Sequence, residues 1–133
     1  MTEEIRIPIR SETDIVVARQ SGRALAAEAG FTGSELTVIA TAISEVARNI
    51  VNYAQTGEIC IQQVKSGKQI GLLIVASDRG PGIADVALAL QDGYSTSNGL
   101  GLGLPGVKRL MDEFEIVSEV GVGTTVTMRK WKR

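Results

Sequence analysis

Residues 97–106 read Ser-Asn-Gly-Leu-Gly-Leu-Gly-Leu-Pro-Gly, an alternation of glycine and leucine that leads directly into a helical segment. Glycines spaced in this way let backbone N–H groups face an anion, and the N-terminus of the following helix adds a positive dipole end. Gly101, Gly103 and Gly106 formally match a dinucleotide-binding fingerprint, but residues 94–98 are a polar loop where that motif requires a buried strand. The Walker spacing also fails, because valine stands where lysine is required. The stretch is therefore a candidate phosphate cradle, with a flexible hinge as the alternative.

The composition is that of an ordinary globular domain without histidine. The 133 residues are 44% hydrophobic and 22% charged, which argues against disorder. The net charge of -1 gives no basic field that would indicate nucleic acid or anionic lipid. Without histidine, base catalysis would fall to a carboxylate. One cysteine, no secretory signal and no apolar run of about 18 residues predict a cytoplasmic protein. The length predicts that residues 1–133 form a single domain.

Hydrophobic periodicity predicts a strand, two helices, a hairpin, a loop-rich stretch, a helix and a second hairpin. Pro8 restricts the first strand to a sheet edge. Capping boxes beginning at Ser11 and Thr32 predict the starts of the first two helices, and the second helix is expected to last until about Ala54. This order predicts an α/β sandwich in which one mostly antiparallel sheet carries helices on one face. The expected strands are 3–9, 58–65, 69–77, 114–120 and 124–131, and the expected helices after the second are 84–90 and 104–111.

The second helix carries a polar stripe beside its apolar face. Glu45, Asn49 and Asn52 lie within a narrow sector about 100° from the apolar residues. A carboxylate and an amide four residues apart lie one above the other, so both could address a hydrated Mg²⁺ and the phosphate that it carries. The alternative is a solvated helix flank.

Two further motifs lie at strand ends. Asp78 follows the most apolar strand, where a carboxylate could accept a hydrogen bond from an exocyclic amine, and Gly80 and Gly82 would let backbone approach a flat ring. The alternative is a turn aspartate that caps its own backbone. Near the end of the chain, Thr124 shares a strand face with two apolar residues and suits the wall of a base pocket, although an ordinary turn before a strand would look the same.

Together and in this order, the four motifs resemble the ATP-binding Bergerat fold of the GHKL superfamily, which includes gyrase, Hsp90, histidine kinases and MutL. The resemblance implies a two-layer sandwich of a mixed, mostly antiparallel sheet with helices on one face. It also implies binding of ATP and Mg²⁺. The matching positions, from the N box through two glycine boxes to the closing element, are Glu45, Asn49, Asp78, Gly80, Gly82, Gly99, Gly101, Gly103, Gly123 and Thr124.

The same resemblance implies a role for each position. Glu45 would be the general base, and Asn49 would bind Mg²⁺ through its side-chain oxygen. Asp78 would accept a hydrogen bond from adenine N6, with support from Thr124. Residues 85–98 would form a short lid over the triphosphate. The implied nucleotide-binding residues are Asn49, Asp78, Gly80, Gly82, Gly99, Leu100, Gly101, Leu102, Gly103 and Thr124.

Residues 92–112 are similar, more specifically, to small bacterial serine/threonine kinases of the anti-sigma-factor type, and among these to the RsbT-like switch kinases of the stressosome. That similarity implies phosphorylation of STAS-domain proteins and, after release, activation of a PP2C-type phosphatase, with no nucleic acid or membrane partner. A complete histidine kinase is excluded, because the chain has neither a histidine nor a dimerisation hairpin. The alternatives are a kinase that sequesters a sigma factor and a protein that uses ATP only as a conformational ligand.

Overall fold

The chain forms an antiparallel sheet with helices packed on one face. The computed structural model describes residues 4–82 and 103–132. All four strand pairings in those ranges are antiparallel, which confirms the mostly antiparallel α/β sandwich. The elements are β1 (Glu4–Ile9), α1 (Glu12–Glu28), α2 (Ser34–Asn49), a π-helical turn (Ile50–Ala54), β2 (Gly57–Ser66), β3 (Gln69–Asp78), α3 (Gly103–Leu110), β4 (Glu113–Glu119) and β5 (Gly123–Trp131). The strand order is β1-β2-β3-β5-β4, so β1 is an edge strand and β3 is central, as predicted.

The core lies between the sheet and the helices α1, α2 and α3. Strand alternation points one set of side chains toward the helices, and register pairing aligns them in rows across the sheet. Full burial of such aliphatic side chains stabilises the fold by roughly 1.5–3 kcal/mol each. The fully buried large side chains include Ile9, Ile39, Ile43, Ile59, Ile61, Leu72, Ile74 and Met128.

The helix starts differ from the predicted capping boxes. At α1 the Ser11 side chain makes no capping hydrogen bond, whereas Asp14 reaches back and accepts one from the Arg10 N–H at 2.8 Å. At α2 the Thr32 cap is wrong, because Gly33 takes φ 58 and becomes the residue that precedes the helix. The first turn of α2 therefore begins with backbone hydrogen bonds alone.

The end of α2 also departs from the simple helical prediction. Helical structure lasts to Ala54 as expected, but its last five residues widen into the π-helical turn. The Gln55 N–H closes this turn by donating to the Ile50 carbonyl oxygen at 2.7 Å, and Gln55 itself has φ 70. Single π turns inside helices occur frequently at functional sites. This one lies between Asn49 and the glycines that follow β3.

The single cysteine and the membrane prediction can both be compared with the structure. Cys60 lies on the sheet face opposite the helices, between Arg6 and Val75 in the register, and burial raises the pKa of its thiol. A thiol that is harder to ionise is a weaker nucleophile, which fits a packing role. Within residues 4–82 and 103–132, no helix combines the length and the apolar character needed to cross a membrane.

Candidate functional site

The first part of the site is the junction between α2 and the N-terminus of α3. Glu45 is only 2% exposed there, and its Oε1 accepts a hydrogen bond from the Gly103 backbone N–H at 3.2 Å. Gly103 is the first residue of α3, so this N–H has no partner within its helix, and the positive end of the helix dipole favours a carboxylate. Two motifs that lie 58 residues apart in sequence therefore meet. The N–H that was expected to face a phosphate faces the Glu45 carboxylate in this structure.

The second oxygen of Glu45 has no such donor. Glu45 Oε2 is buried and makes no hydrogen bond with any residue in the described ranges. In the described part of the chain, the basic atom within 4.0 Å of it is Arg48 Nε, at 3.9 Å. A solvated flank is therefore the wrong description of Glu45, and a buried oxygen without a donor is free to accept a proton or a hydrogen bond from a ligand.

Asn49 lies one turn beyond Glu45 at the end of α2. Its side chain is half-buried and makes no hydrogen bond within the described part of the chain. The spacing therefore gives a free amide on the same side of the helix as the buried carboxylate.

The second part of the site is at the sheet end of β3. Asp78 Oδ1 accepts hydrogen bonds from two backbone N–H groups, those of Gly80 at 2.8 Å and Thr124 at 3.3 Å. Asp78 thus caps the turn that follows it, as the alternative interpretation predicted, but this uses only one carboxylate oxygen, Oδ1. Oδ2 has no hydrogen-bond partner in residues 4–82 and 103–132, so it is an acceptor whose direction is fixed by the bonds to Oδ1.

Two glycines bring backbone segments close together around Asp78. At Gly123, with φ 146, a Cβ atom would overlap the Asp78 carbonyl oxygen and lie 2.9 Å from the Arg79 Cα. At Gly80, a Cβ would lie 2.6 Å from the Cβ of Ala54 in the π-helical turn. These glycines permit close packing, and the Gly80 contact joins the sheet end of the site to the end of α2.

Hydroxyl groups line the sheet end next to Asp78. Thr124 is paired with Asp78 across β3 and β5, and its Oγ1 lies 2.8 Å from Ser118 Oγ on β4. Thr124 shares the helix-facing side of β5 with the buried Val126 and Met128, as predicted. Ser118 was not predicted, because its place opposite Thr124 depends on the register of the last hairpin.

The remaining candidate residues are Gly82 and those that lie outside the described ranges. Gly82 packs against the backbone of Glu119 at the end of β4, and the Pro81 carbonyl oxygen accepts a hydrogen bond from the Gly121 N–H at 2.9 Å. The candidate residues that lie outside the described ranges are Gly99, Leu100, Gly101 and Leu102, together with the expected lid at 85–98 and the expected helix at 84–90.

Comparison with known proteins places this arrangement in a family. The family model described as histidine kinase-like ATPase domain matches residues 9–130. The serine/threonine-protein kinase RsbT of Bacillus subtilis is 52% identical over 133 residues, which cover 100% of both chains. The anti-sigma F factor of Thermoanaerobacter sp. strain X514 is 33% identical over 120 residues, which cover 86% of this chain and 82% of that protein.

The fold has a solved counterpart as well. The mycobacterial sensor histidine kinase MprB superposes with a TM-score of 0.58 at 15% identity, covering 100% of this chain and 99% of the other. The pairing of a buried glutamate with the N-terminus of α3, and of Asp78 with Thr124, thus occurs in an ATPase fold. The chain belongs to the histidine kinase-like ATPase domain family and lies within its serine/threonine-protein kinase branch, of which RsbT is a member.

Proposed function

We propose that this chain transfers the γ-phosphate of Mg-ATP to a serine or threonine of a STAS-domain protein and that, after release, it binds and activates a PP2C-type phosphatase. The observation that carries the proposal is the contact between Glu45 and Gly103. It puts a buried carboxylate at the start of the helix that follows the glycine-rich stretch. The identity of 52% with a serine/threonine kinase supports the same chemistry, whereas the two partners rest on the resemblance to RsbT-like kinases.

The sheet end would hold adenine. The free Oδ2 of Asp78 can accept a hydrogen bond from the exocyclic amine, because both backbone donors already bind Oδ1. Gly80 and Gly82 would let the ring approach the backbone, and Thr124 would add a hydroxyl beside it. A half-buried acceptor next to apolar side chains fits a flat, partly polar ring.

The end of α2 would hold the metal and the phosphates. Bound Mg²⁺ neutralises phosphate charge in such a transfer. Asn49 would provide one oxygen ligand, and residues 99–103 would surround the triphosphate. The described part of the chain has no group of three or more His, Cys, Asp and Glu side chains that could hold a metal, so the other ligands would come from the triphosphate and water.

Glu45 would act as the base toward the substrate hydroxyl. The Gly103 N–H holds Oε1, which fixes the plane of the carboxylate. Oε2 would then accept the hydroxyl proton as the serine or threonine oxygen attacks the γ-phosphorus, and the bond from that phosphorus to the bridging oxygen would break so that ADP leaves. Phosphoryl transfer depends mainly on positioning and charge neutralisation, so a carboxylate that orients the nucleophile is sufficient.

The decisive experiment replaces the base by its isosteric amide. Glu45→Gln keeps an oxygen for the Gly103 N–H, so we expect ATP affinity within about twofold of the parent, and transfer to a purified STAS-domain protein reduced about 10²–10⁴-fold. Labelled ATP measures transfer and calorimetry measures binding. Glu115→Gln, at an exposed position on β4, is the matched control and should behave as the parent. Unchanged transfer by Glu45→Gln would reject the role of base.

A second candidate function is an anti-sigma-factor kinase. The observation in its favour is the 33% identity with an anti-sigma F factor. This function predicts a stable complex with a sigma factor, which purified components in a binding assay would show. A chain that only uses ATP as a conformational ligand predicts instead that Glu45→Gln leaves every output intact.

A further inference from the structure

Arg48 lies one helical turn after Glu45 and faces its carboxylate. The Arg48 Nε is 3.9 Å from Glu45 Oε2, and the two side chains are 28% and 2% exposed. The Nε atom is buried and, like Oε2, has no hydrogen-bond partner in the described ranges. Two groups of opposite charge therefore face each other at a distance too long for a hydrogen bond.

The burial of Glu45 makes this charge important. An ionised carboxylate removed from water needs compensating charge or several donors, and the Gly103 N–H provides only one. Among the residues that the structure describes, Arg48 contributes the only basic group within 4.0 Å of Glu45. A guanidinium keeps its charge at every physiological pH, which makes it a constant counter-ion.

The separation between the two groups has a second consequence. A direct hydrogen bond from Arg48 would occupy Oε2 and compete with the substrate hydroxyl for it. At 3.9 Å the positive charge still stabilises the carboxylate, but the lone pairs of Oε2 stay available.

We propose that Arg48 is a positioning residue for the reaction: it supplies the counter-charge that holds Glu45 correctly oriented in a buried site while leaving Oε2 free to accept the substrate proton. The inference rests on the proposed function of Glu45 as the base. It has a structural half, the charge pair in the folded chain, and a kinetic half, the effect of that pair on phosphoryl transfer.

The kinetic half is tested with Arg48→Ala and Arg48→Lys. We expect Arg48→Ala to lower kcat about tenfold or more with the KM for ATP within about twofold, and Arg48→Lys to fall between it and the parent. Added guanidinium ion should partly restore Arg48→Ala, which a merely structural defect would not allow. In a Glu45→Gln background, Arg48→Ala should cause no further loss. Arg23→Ala, at an exposed position on α1, is the control.

The outcomes separate the proposal from its competitors. An unchanged kcat in Arg48→Ala overturns it. A loss of kcat that neither the Arg48→Lys substitution nor added guanidinium ion reduces also overturns it. A raised KM for ATP with an unchanged kcat would also overturn it, because Arg48 would then contact the nucleotide.

The structural half is tested by denaturation and needs no substrate. Arg48→Met, which keeps the apolar stem, should lower the denaturation midpoint more in the parent than in the Glu45→Gln variant, since only the parent has the charge partner. Equal losses in both backgrounds would overturn the charge pair and leave the proposed function standing. Full transfer by Glu45→Gln would reject the role of Glu45 as the base, and with it the kinetic half, while the denaturation result would still report on the pair.

Discussion

The two ends of the candidate site hold their carboxylates in different ways. At the sheet end, Asp78 has two backbone donors on one oxygen; strand pairing fixes the Thr124 donor, and the turn after β3 supplies the Gly80 donor. At the helix end, Glu45 is more deeply buried, yet it has one backbone donor and a counter-charge at 3.9 Å. A group that only binds can be firmly held before its ligand arrives. A group that must take up a proton needs an oxygen that the protein leaves unoccupied.

The largest expected effect comes from breaking the sheet end through its backbone. Gly123→Ala would place a Cβ atom against the Asp78 carbonyl oxygen and the Arg79 Cα at a residue with φ 146. Because these obstacles are backbone atoms, we expect the free energy of unfolding to fall by about 3 kcal/mol or more. Urea denaturation measures this change.

Gly121→Ala is the matched control for the Gly123 variant. Gly121 also has a positive φ, of 82, but a Cβ there would meet nothing within 4 Å. Backbone strain alone should then cost about 1 kcal/mol. Equal losses in the two variants would contradict the close approach of β5 to the end of β3.

A smaller effect is expected when only the acceptor of the sheet end is changed. In Asp78→Asn the amide oxygen can still accept from Gly80 and Thr124, so the fold should persist while an NH₂ group replaces Oδ2. We expect ATP binding to weaken by about 1–3 kcal/mol, measured by calorimetric titration. Glu58→Gln on β2, whose carboxylate is 41% exposed and pairs with Arg6, is the control. Affinity equal to that of the parent would contradict the adenine contact.

The sheet could be predicted because its signals are local. Two β-rich segments around the Ser66-Gly67-Lys68 turn specify β2 and β3, the apolar character of β3 on both faces specifies its central position, and Pro8 specifies the edge position of β1. The helix starts were harder, because one glycine torsion at Gly33 displaced the expected cap at Thr32. A cap depends on a single backbone angle that composition does not determine.

Candidate residues at strand ends could be found from sequence motifs, whereas residues whose contacts depend on packing could not. Asp78 and Thr124 were expected to cooperate, and the register pairs them. Ser118 carries no local signal, since its contact with Thr124 follows from a pairing across a turn. Arg48 looks like any charged residue on a helix until the burial of Glu45 is known.

The smallest expected effect concerns the turn that links the two ends. Gln55, with φ 70 and ψ -38, is the only non-glycine residue with positive φ in the described ranges, and it closes the π-helical turn that packs against Gly80. Gln55→Gly removes this strain but adds freedom to the unfolded chain, so we expect a net gain of about 0.5 kcal/mol in unfolding free energy. Thr56→Gly changes the neighbouring exposed residue without a positive φ in the native fold, and it should lose about 0.5–1 kcal/mol. If chemical denaturation shows a gain in unfolding free energy for Gln55→Gly and a loss for Thr56→Gly, the strain lies at Gln55. Equal losses in the two variants would mean that this turn stores no strain. The contacts of Glu45 and Asp78 involve neither the Gln55 nor the Thr56 side chain, so ATP affinity should not change in either variant. The turn can therefore join the two ends of the site without either end depending on its strain.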